Sequence, residues 1–344
     1  MNEKDVSKFF LLLVLVFISL LCCINSGSIR SIYIGHCSDL KRITKALEKY
    51  DANAVVIDVK DDFGILFPDL PISQNSKNKF ISNNKLKNVL IKLKNKGIYT
   101  IARIVALKEF VRQDLCIKDE NGNVMIDKEK TSWMDPRNEE VIKYLEEICV
   151  SAIKIGFDEI QLDYVRFSPY FTKIDSSNNV RIDAINNFID KICNSIHKVG
   201  GKVSVCVFGC VIDKSVDTDN NKDQAKKSSK ILGQDYIEIA KRADFICPMI
   251  YPSHYPLNTP CGIKYPDLEP YNTISKCLEL SNNTLKNRSN IKAVVRPYLQ
   301  AFTASWLKYH IRYGKKEIQE QINAIYDKGL NQWSLFNMAV KYPD

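Results

Sequence analysis

The chain offers almost none of the usual signals for metal, dinucleotide or nucleic-acid chemistry. It has four histidines and no C-x-x-C pair, and His36, Cys37 and His254 are scattered without ligand spacing. No metal is therefore expected. No glycine-rich fingerprint follows the first strand-like run, which weighs against a dinucleotide-binding open sheet and leaves no cofactor to predict. Basic residues do not interleave with aromatics as a nucleic-acid groove requires, so nucleic acid is not expected as a partner. The net charge is +9, from 49 basic and 40 acidic residues. Most lysines, however, fall in helical runs such as NNKLKNVLIKLKNKG, where they read as a solvated face. A disulfide framework is also missing. Two of the eleven cysteines lie near the N-terminus, the other nine are an odd number, and Cys149, Cys193, Cys206 and Cys247 sit inside apolar segments. They read as small buried thiols. Nothing in the sequence sets the oligomeric state.

One long apolar run is present. Phe9 to Ile24, FFLLLVLVFISLLCCI, carries no charge. At about 16 residues it lies between a signal-peptide core and a full span, and no clean small-x-small site follows it. Residues 1–28 are expected to be an export signal or membrane anchor. Residues 29–344 are then one exported, extracellular or membrane-anchored domain.

In that domain strand-like and helix-like runs alternate. Strands are expected near 31–36, 54–60, 99–107, 159–167, 202–209, 244–251, 291–300 and 332–339, with seven amphipathic helical patterns between them. KNKGIYT, IKIGFDEI, HKVGGKVSV and YDKGLNQW each place lysine and then glycine just before a strand. Lysine suits the negative end of a helix, and glycine supplies the left-handed residue that closes it. Repeated helix-to-strand units of this kind imply parallel strands and helical crossovers. Eight of them fit a (β/α)8 TIM barrel with its last helix missing or short.

Charge on the strands points to a site. Side chains alternate along a strand, so in GFDEIQLDYVRF the apolar Ile160 and Leu162 face the outer helices and Asp163 faces the barrel interior. The same parity turns Asp58 and Lys60 inward, puts Arg103 late in the third strand, aligns Tyr251 with Met249, and aligns Arg296 with Tyr298 and Gln300. Asn337 falls on the face of Trp333 and Leu335. Barrel active sites lie at the C-terminal mouth. Asp58, Arg103, Asp163, Arg296 and Asn337 are therefore expected to gather there. A structural ion-pair layer, with Arg103 and Arg296 neutralising Asp58 and Asp163, is the plainer alternative. The following loops add Asp61, Asp62, Trp133 and His254. Rings beside carboxylates suit sugars, whose C–H faces stack while their hydroxyls need polar partners.

With these residues in view the chain resembles the glycoside-hydrolase-like DUF4015 family of (β/α)8 bacterial proteins. NAVVIDVKDDFG, KGIYTIARIVALKE, WMDPRNEEV, GFDEIQLDYVRF, VSVCVFG, PMIYPSHY and RPYLQAFT carry the resemblance in order across 31–342. It implies a carbohydrate-directed barrel acting on a polysaccharide or cell-wall glycan. It also implies an Asp in the fifth strand, where this chain has Cys206. On this reading Asp163 and Asp58 are the catalytic carboxylates, as nucleophile or stabiliser and as acid/base. Asp61, Arg103, Trp133, Arg166, Tyr251, His254, Arg296 and Asn337 bind the sugar. By strand parity Arg166 does not share the face of Asp163. Cys206 keeps a second reading open, a non-catalytic carbohydrate-binding barrel.

Overall fold

The computed structural model describes residues 28–343 apart from 69, 74–76, 83–84, 172–178 and 213–227. Most of the expected leader lies outside the described residues. Among the described residues no helix is long and apolar enough to cross a membrane.

Eight parallel strands close into a barrel. They are β1 (Arg30–Gly35), β2 (Ala54–Lys60), β3 (Tyr99–Val105), β4 (Glu159–Asp163), β5 (Lys202–Phe208), β6 (Phe245–Met249), β7 (Val294–Val295 and Tyr298–Gln300) and β8 (Trp333–Phe336). Closure comes from β8, which pairs with both β7 and β1. The seventh strand is interrupted because Pro297 has no N–H to give the ladder. Crossovers use α1 (Leu40–Lys49), α2 (Lys85–Asn95), α3 (Glu139–Lys154), α4 (Val180–Lys198), α5 (Tyr236–Ala240), α6 (Pro270–Leu285) and α7 (Lys315–Asp327). Gly97, Gly156, Gly200 and Gly329 all have positive φ, as the lysine–glycine punctuation requires. Among the described residues no helix follows β8. Tyr342 instead rests against Tyr50, and its hydroxyl donates to the carbonyls of Tyr33 and Leu335.

The apolar core lies between the sheet and the helices. Ile32, Val55, Ala102, Ile160, Val203, Ile246 and Leu335 are fully buried there, packed with helix residues such as Ile43, Leu145 and Ile189. Each Val, Leu or Ile side chain among them contributes about 1.5–3 kcal/mol on leaving water. The barrel interior mixes a small apolar cluster of Tyr33, Ala54, Val56 and Ile101 with buried polar groups. Near its N-terminal end Arg296 forms an ion pair with Glu159, both fully buried, and Tyr99 also donates to Glu159. Above them the Tyr298 hydroxyl donates to Gln161, and Ser31 donates to Ser334. The third loop is pinned from inside the fold. Lys60 pairs with Glu109 at 2.9 Å, with both side chains sealed from solvent. Lys108–Glu109 then pairs antiparallel with Ser132–Trp133. Gly64, at φ +81°, leaves room for Glu109, whose Oε1 would lie 2.1 Å from an added Cβ.

Candidate active site

A cleft of about 490 Å³ opens at the C-terminal mouth of the barrel. Its floor is built on one guanidinium. Arg103, late in β3, donates from Nε to Asp163 Oδ2 at 2.9 Å, and its Nη2 lies 2.8 Å from the same oxygen. Its Nη1 donates to Asp58 Oδ1 at 2.9 Å. Asp62 Oδ2 accepts from Nη1 at 3.1 Å and from Nη2 at 3.2 Å. Three carboxylates thus meet on one guanidinium, and they outnumber the cations of the cluster even with Lys108 counted. Tyr33 donates its hydroxyl to Asp58, and the Tyr164 backbone N–H donates to Asp163 Oδ1 at 2.7 Å. Lys108 stands 3.8 Å from Asp62.

These contacts set the protonation states. Burial alone would pull Arg103 toward neutrality, but Asp58, Asp163 and Asp62 outweigh it and hold the guanidinium charged far above its ordinary range. Burial raises Asp62, yet the Arg103 charge and hydrogen bonds, with Lys108 and Tyr164, bring its carboxyl below the usual value. Burial pushes the Cys206 thiol well up, and Asp163 adds to the effect, so the group stays protonated. Burial lowers His254, with Asp267 opposing it, and keeps the imidazole neutral near pH 7.

The walls are aromatic. Tyr251, Tyr298 and Phe336 line one side, and Tyr251 stacks on Phe336 at 5.7 Å. Phe302 touches Tyr251, and Trp306 stacks on Phe302 at 6.1 Å and 19°. Trp306 is 66% exposed and so extends this wall outward from the cleft. On the other side Arg166 is held by Trp133, Tyr164 and Phe208.

Of the residues expected from sequence, Asp163, Arg103, Arg166, Tyr251 and His254 line the cleft. The others stand elsewhere. Asp58 is 4% exposed, enclosed by Arg103 and Tyr33, and is not on the cleft wall. Asp61 accepts the N–H groups of Phe63 and Ile65 and shapes the turn, while its neighbour Asp62 reaches the site. Trp133 is buried, donates to Asp127 at 2.7 Å and supports Arg166 from beneath. Arg296 lies deep in the barrel on Glu159, so the expected pairing of Arg296 with Asp58 or Asp163 does not form. Asn337 shares the outward parity of Trp333 and Leu335, and its amide donates to the carbonyls of Ala301 and Lys341. Phe336, one residue earlier, takes the inward place. Parity along β5 already pairs Phe208 with Cys206 and would have shown it as a lining residue. Asp62 had no signal beyond its loop.

Arg166 reaches the cleft by a route that strand parity misses. β4 ends at Asp163, and Tyr164 takes φ +52°. The Arg166 N–H then donates to the Tyr164 carbonyl at 2.9 Å. This tight turn folds the side chain back over the mouth. Among the described residues no three His, Cys, Asp or Glu side chains are grouped as a metal site.

Comparison with solved structures supports the barrel. The chain is similar to the glycoside hydrolase domain of PgaB (BpsB) from Bordetella bronchiseptica, with TM-score 0.63, 12% identity, and coverage of 91% of this chain and 95% of that one. It is also similar to a class V chitinase from Pseudomonas fluorescens Pf-5, with TM-score 0.52, 10% identity, and coverage of 92% and 96%. The spore cortex-lytic enzyme SleL of Bacillus megaterium QM B1551 gives TM-score 0.51 at 12% identity, covering 92% of this chain and 72% of that one. Identities this low speak for the fold alone. No curated protein matches the chain. The family DUF4015, described as "Putative glycosyl hydrolase domain", matches residues 29–342. With that match over nearly all of the barrel, the chain belongs to the DUF4015 family.

Proposed function

We propose that the chain hydrolyses a glycosidic bond of a polysaccharide or cell-wall glycan held in this cleft. One observation carries the reading: the cleft floor concentrates carboxylates in excess of its single guanidinium. Glycoside cleavage passes through an oxocarbenium-like, positively charged state, which a preorganised negative cluster stabilises. Asp163 is the nucleophile. Its carboxylate lies on the cleft floor and is oriented from both oxygens by Arg103 and the Tyr164 N–H. Asp62, the other cleft-lining carboxyl, replaces Asp58 as the acid/base. Protonated Asp62 gives its proton to the leaving oxygen as Asp163 bonds to the anomeric carbon. Asp62 then takes a proton from water, which displaces Asp163. The two Oδ2 atoms both lie on Arg103 Nη2, at 3.2 and 2.8 Å. They are thus no more than about 6 Å apart, nearer the ~5–5.5 Å of retaining pairs than the ~6.5–9.5 Å of inverting ones. Release of reducing ends from a polysaccharide panel, with NMR of the first-formed anomer, tests the reading. Inversion would remove Asp163 from the nucleophile role.

The low proton affinity of Asp62 gives a pH dependence. The acid must carry its proton in the free enzyme, and its pKa lies below the usual carboxyl value. Therefore kcat/KM is expected to be largest on the acid side of about pH 4 and to fall about tenfold per unit above it. An optimum at or above neutrality would reject Asp62 as the acid.

Cys206 favours a second reading. A protonated thiol on the cleft wall is a poor donor to a glycosidic oxygen. A barrel that binds glycan without cutting it would show saturable binding on a glycan array and no reducing-end release. Regained hydrolysis in Cys206→Asp would then identify the missing group.

We also propose that the barrel lies outside the cytoplasm, a reading supported by the uncharged apolar run from Phe9 to Ile24. Recovery of the protein in the cytosolic fraction would reject that placement.

A further inference from the structure

The cleft contains two arginines in opposite electrostatic situations. Arg103 has three carboxylates on it. Arg166, also on the cleft wall, is only 8% exposed, and among the described residues no carboxylate pairs with it. Its guanidinium carbon sits 4.5 Å from the Trp133 ring, 4.9 Å from Phe208 and 5.3 Å from Tyr164. Among the described residues the guanidinium donates one hydrogen bond, from Nη1 to the Phe167 carbonyl at 3.2 Å. Asp163, Glu129 and Asp127 act on it only through space. Asp127 is occupied by Trp133, Ser168 and the Thr131 N–H.

A desolvated cation without a counter-ion is costly, and aromatic faces offset only part of that cost. The rings pack around the guanidinium of Arg166, which lines the cleft. A planar fork held this way matches a carboxylate or sulfate, two-pronged, better than a lone hydroxyl. We propose that Arg166 anchors an anionic substituent of the glycan, so that the substrate is an acidic polysaccharide bearing uronate or sulfate groups. This rests on the reading of the cleft as a glycan site. The anion is held on the Arg166 side, and the positive charge of the reacting sugar develops over Asp163.

Calorimetric titration of the Asp163→Asn chain, in which turnover is blocked, tests the proposal with matched pairs. One pair is an oligogalacturonide and its methyl ester, and the other is a sulfated oligosaccharide and its unsulfated backbone. The charged member of at least one pair is expected to bind at least about tenfold more tightly, and the pair that does so separates uronate from sulfate. The preference should shrink with added salt. It should vanish in Arg166→Gln on the same background and survive in part in Arg166→Lys, which keeps the charge but loses the fork. Equal or absent affinity within both pairs, or a preference that persists in Arg166→Gln, overturns it. Should the Gln variant fail to fold, the Lys variant and the salt series decide, and a salt-insensitive preference counts against Arg166. Reducing-end release is measured separately with Asp163 intact. Acid preference without turnover therefore sinks only the hydrolase reading, and turnover of neutral glycans without preference sinks only this one.

Discussion

Asp163→Asn should lower kcat/KM for glycan hydrolysis at least about a thousandfold, which is about 4 kcal/mol of transition-state stabilisation. The amide cannot attack the anomeric carbon, and the cluster loses one of the charges that stabilise the oxocarbenium-like state. The fold should be nearly unaffected. Asp163 accepts from Arg103 through Oδ2 and from the Tyr164 N–H through Oδ1. An asparagine oxygen can keep the Arg103 bond, leaving its NH₂ against the Tyr164 N–H, so one hydrogen bond is lost at about 1 kcal/mol. That loss is partly offset, because three carboxylates crowding one guanidinium become two. Reducing-end release and a thermal melt on the same preparation separate the two effects. A variant that retains a tenth of the parental rate would remove Asp163 from the chemistry. A variant that no longer melts cooperatively would show its role to be structural.

The largest stability effect is expected far from the cleft. Arg296→Met should destabilise the barrel by about 3–5 kcal/mol, because it leaves the Glu159 carboxyl without its ionic partner in a sealed interior. Glu159 and Arg296 are both 0% exposed, and among the described residues the polar partners of the Glu159 carboxylate are Arg296 and the Tyr99 hydroxyl. Burial raises Tyr99, and Glu159 raises it further, so its hydroxyl remains a donor but brings no charge. Glu159→Leu combined with Arg296→Met removes both ions, and most of the loss should return, since a hydrophobic pair of similar volume avoids the desolvation cost. The shift of the urea midpoint in the single and double variants measures this. A double variant as unstable as the single one would mean that packing, not charge, dominates at this layer.

Much of this barrel could be read from the chain. The lysine–glycine punctuation before strands placed the helix ends, and the four glycines do adopt positive φ. Alternation placed Val55, Ile57, Ile160 and Leu162 on the outer face and Asp58, Arg103 and Asp163 on the inner one. It worked because both faces of a barrel strand are buried in chemically different surroundings, one against helices and one in an interior that carries the ionic groups. Trouble came where the strand ended. Asp61 and Asp62 are adjacent in a turn, and which of them reaches Arg103 depends on the Asp61 carboxylate capping the N–H groups of Phe63 and Ile65. Periodicity carries no information about that choice. Asn337 failed for a related reason. It follows Trp333 and Leu335 in parity, but that face is the outer one, because Trp333 packs in the core beneath the helices.

The sequence by itself determined a parallel (β/α)8 barrel, a carbohydrate-directed family resemblance and an inward Asp163, because these follow from periods of two and 3.6 residues and from local ordered stretches. The tertiary structure decided the partners. The height of a residue in a barrel depends on register between strands far apart in sequence, so only the closed sheet shows that Arg296 belongs to Glu159 deep in the interior. Only the left-handed turn at Tyr164 shows that Arg166 comes back to the cleft with its charge unmatched among the described residues.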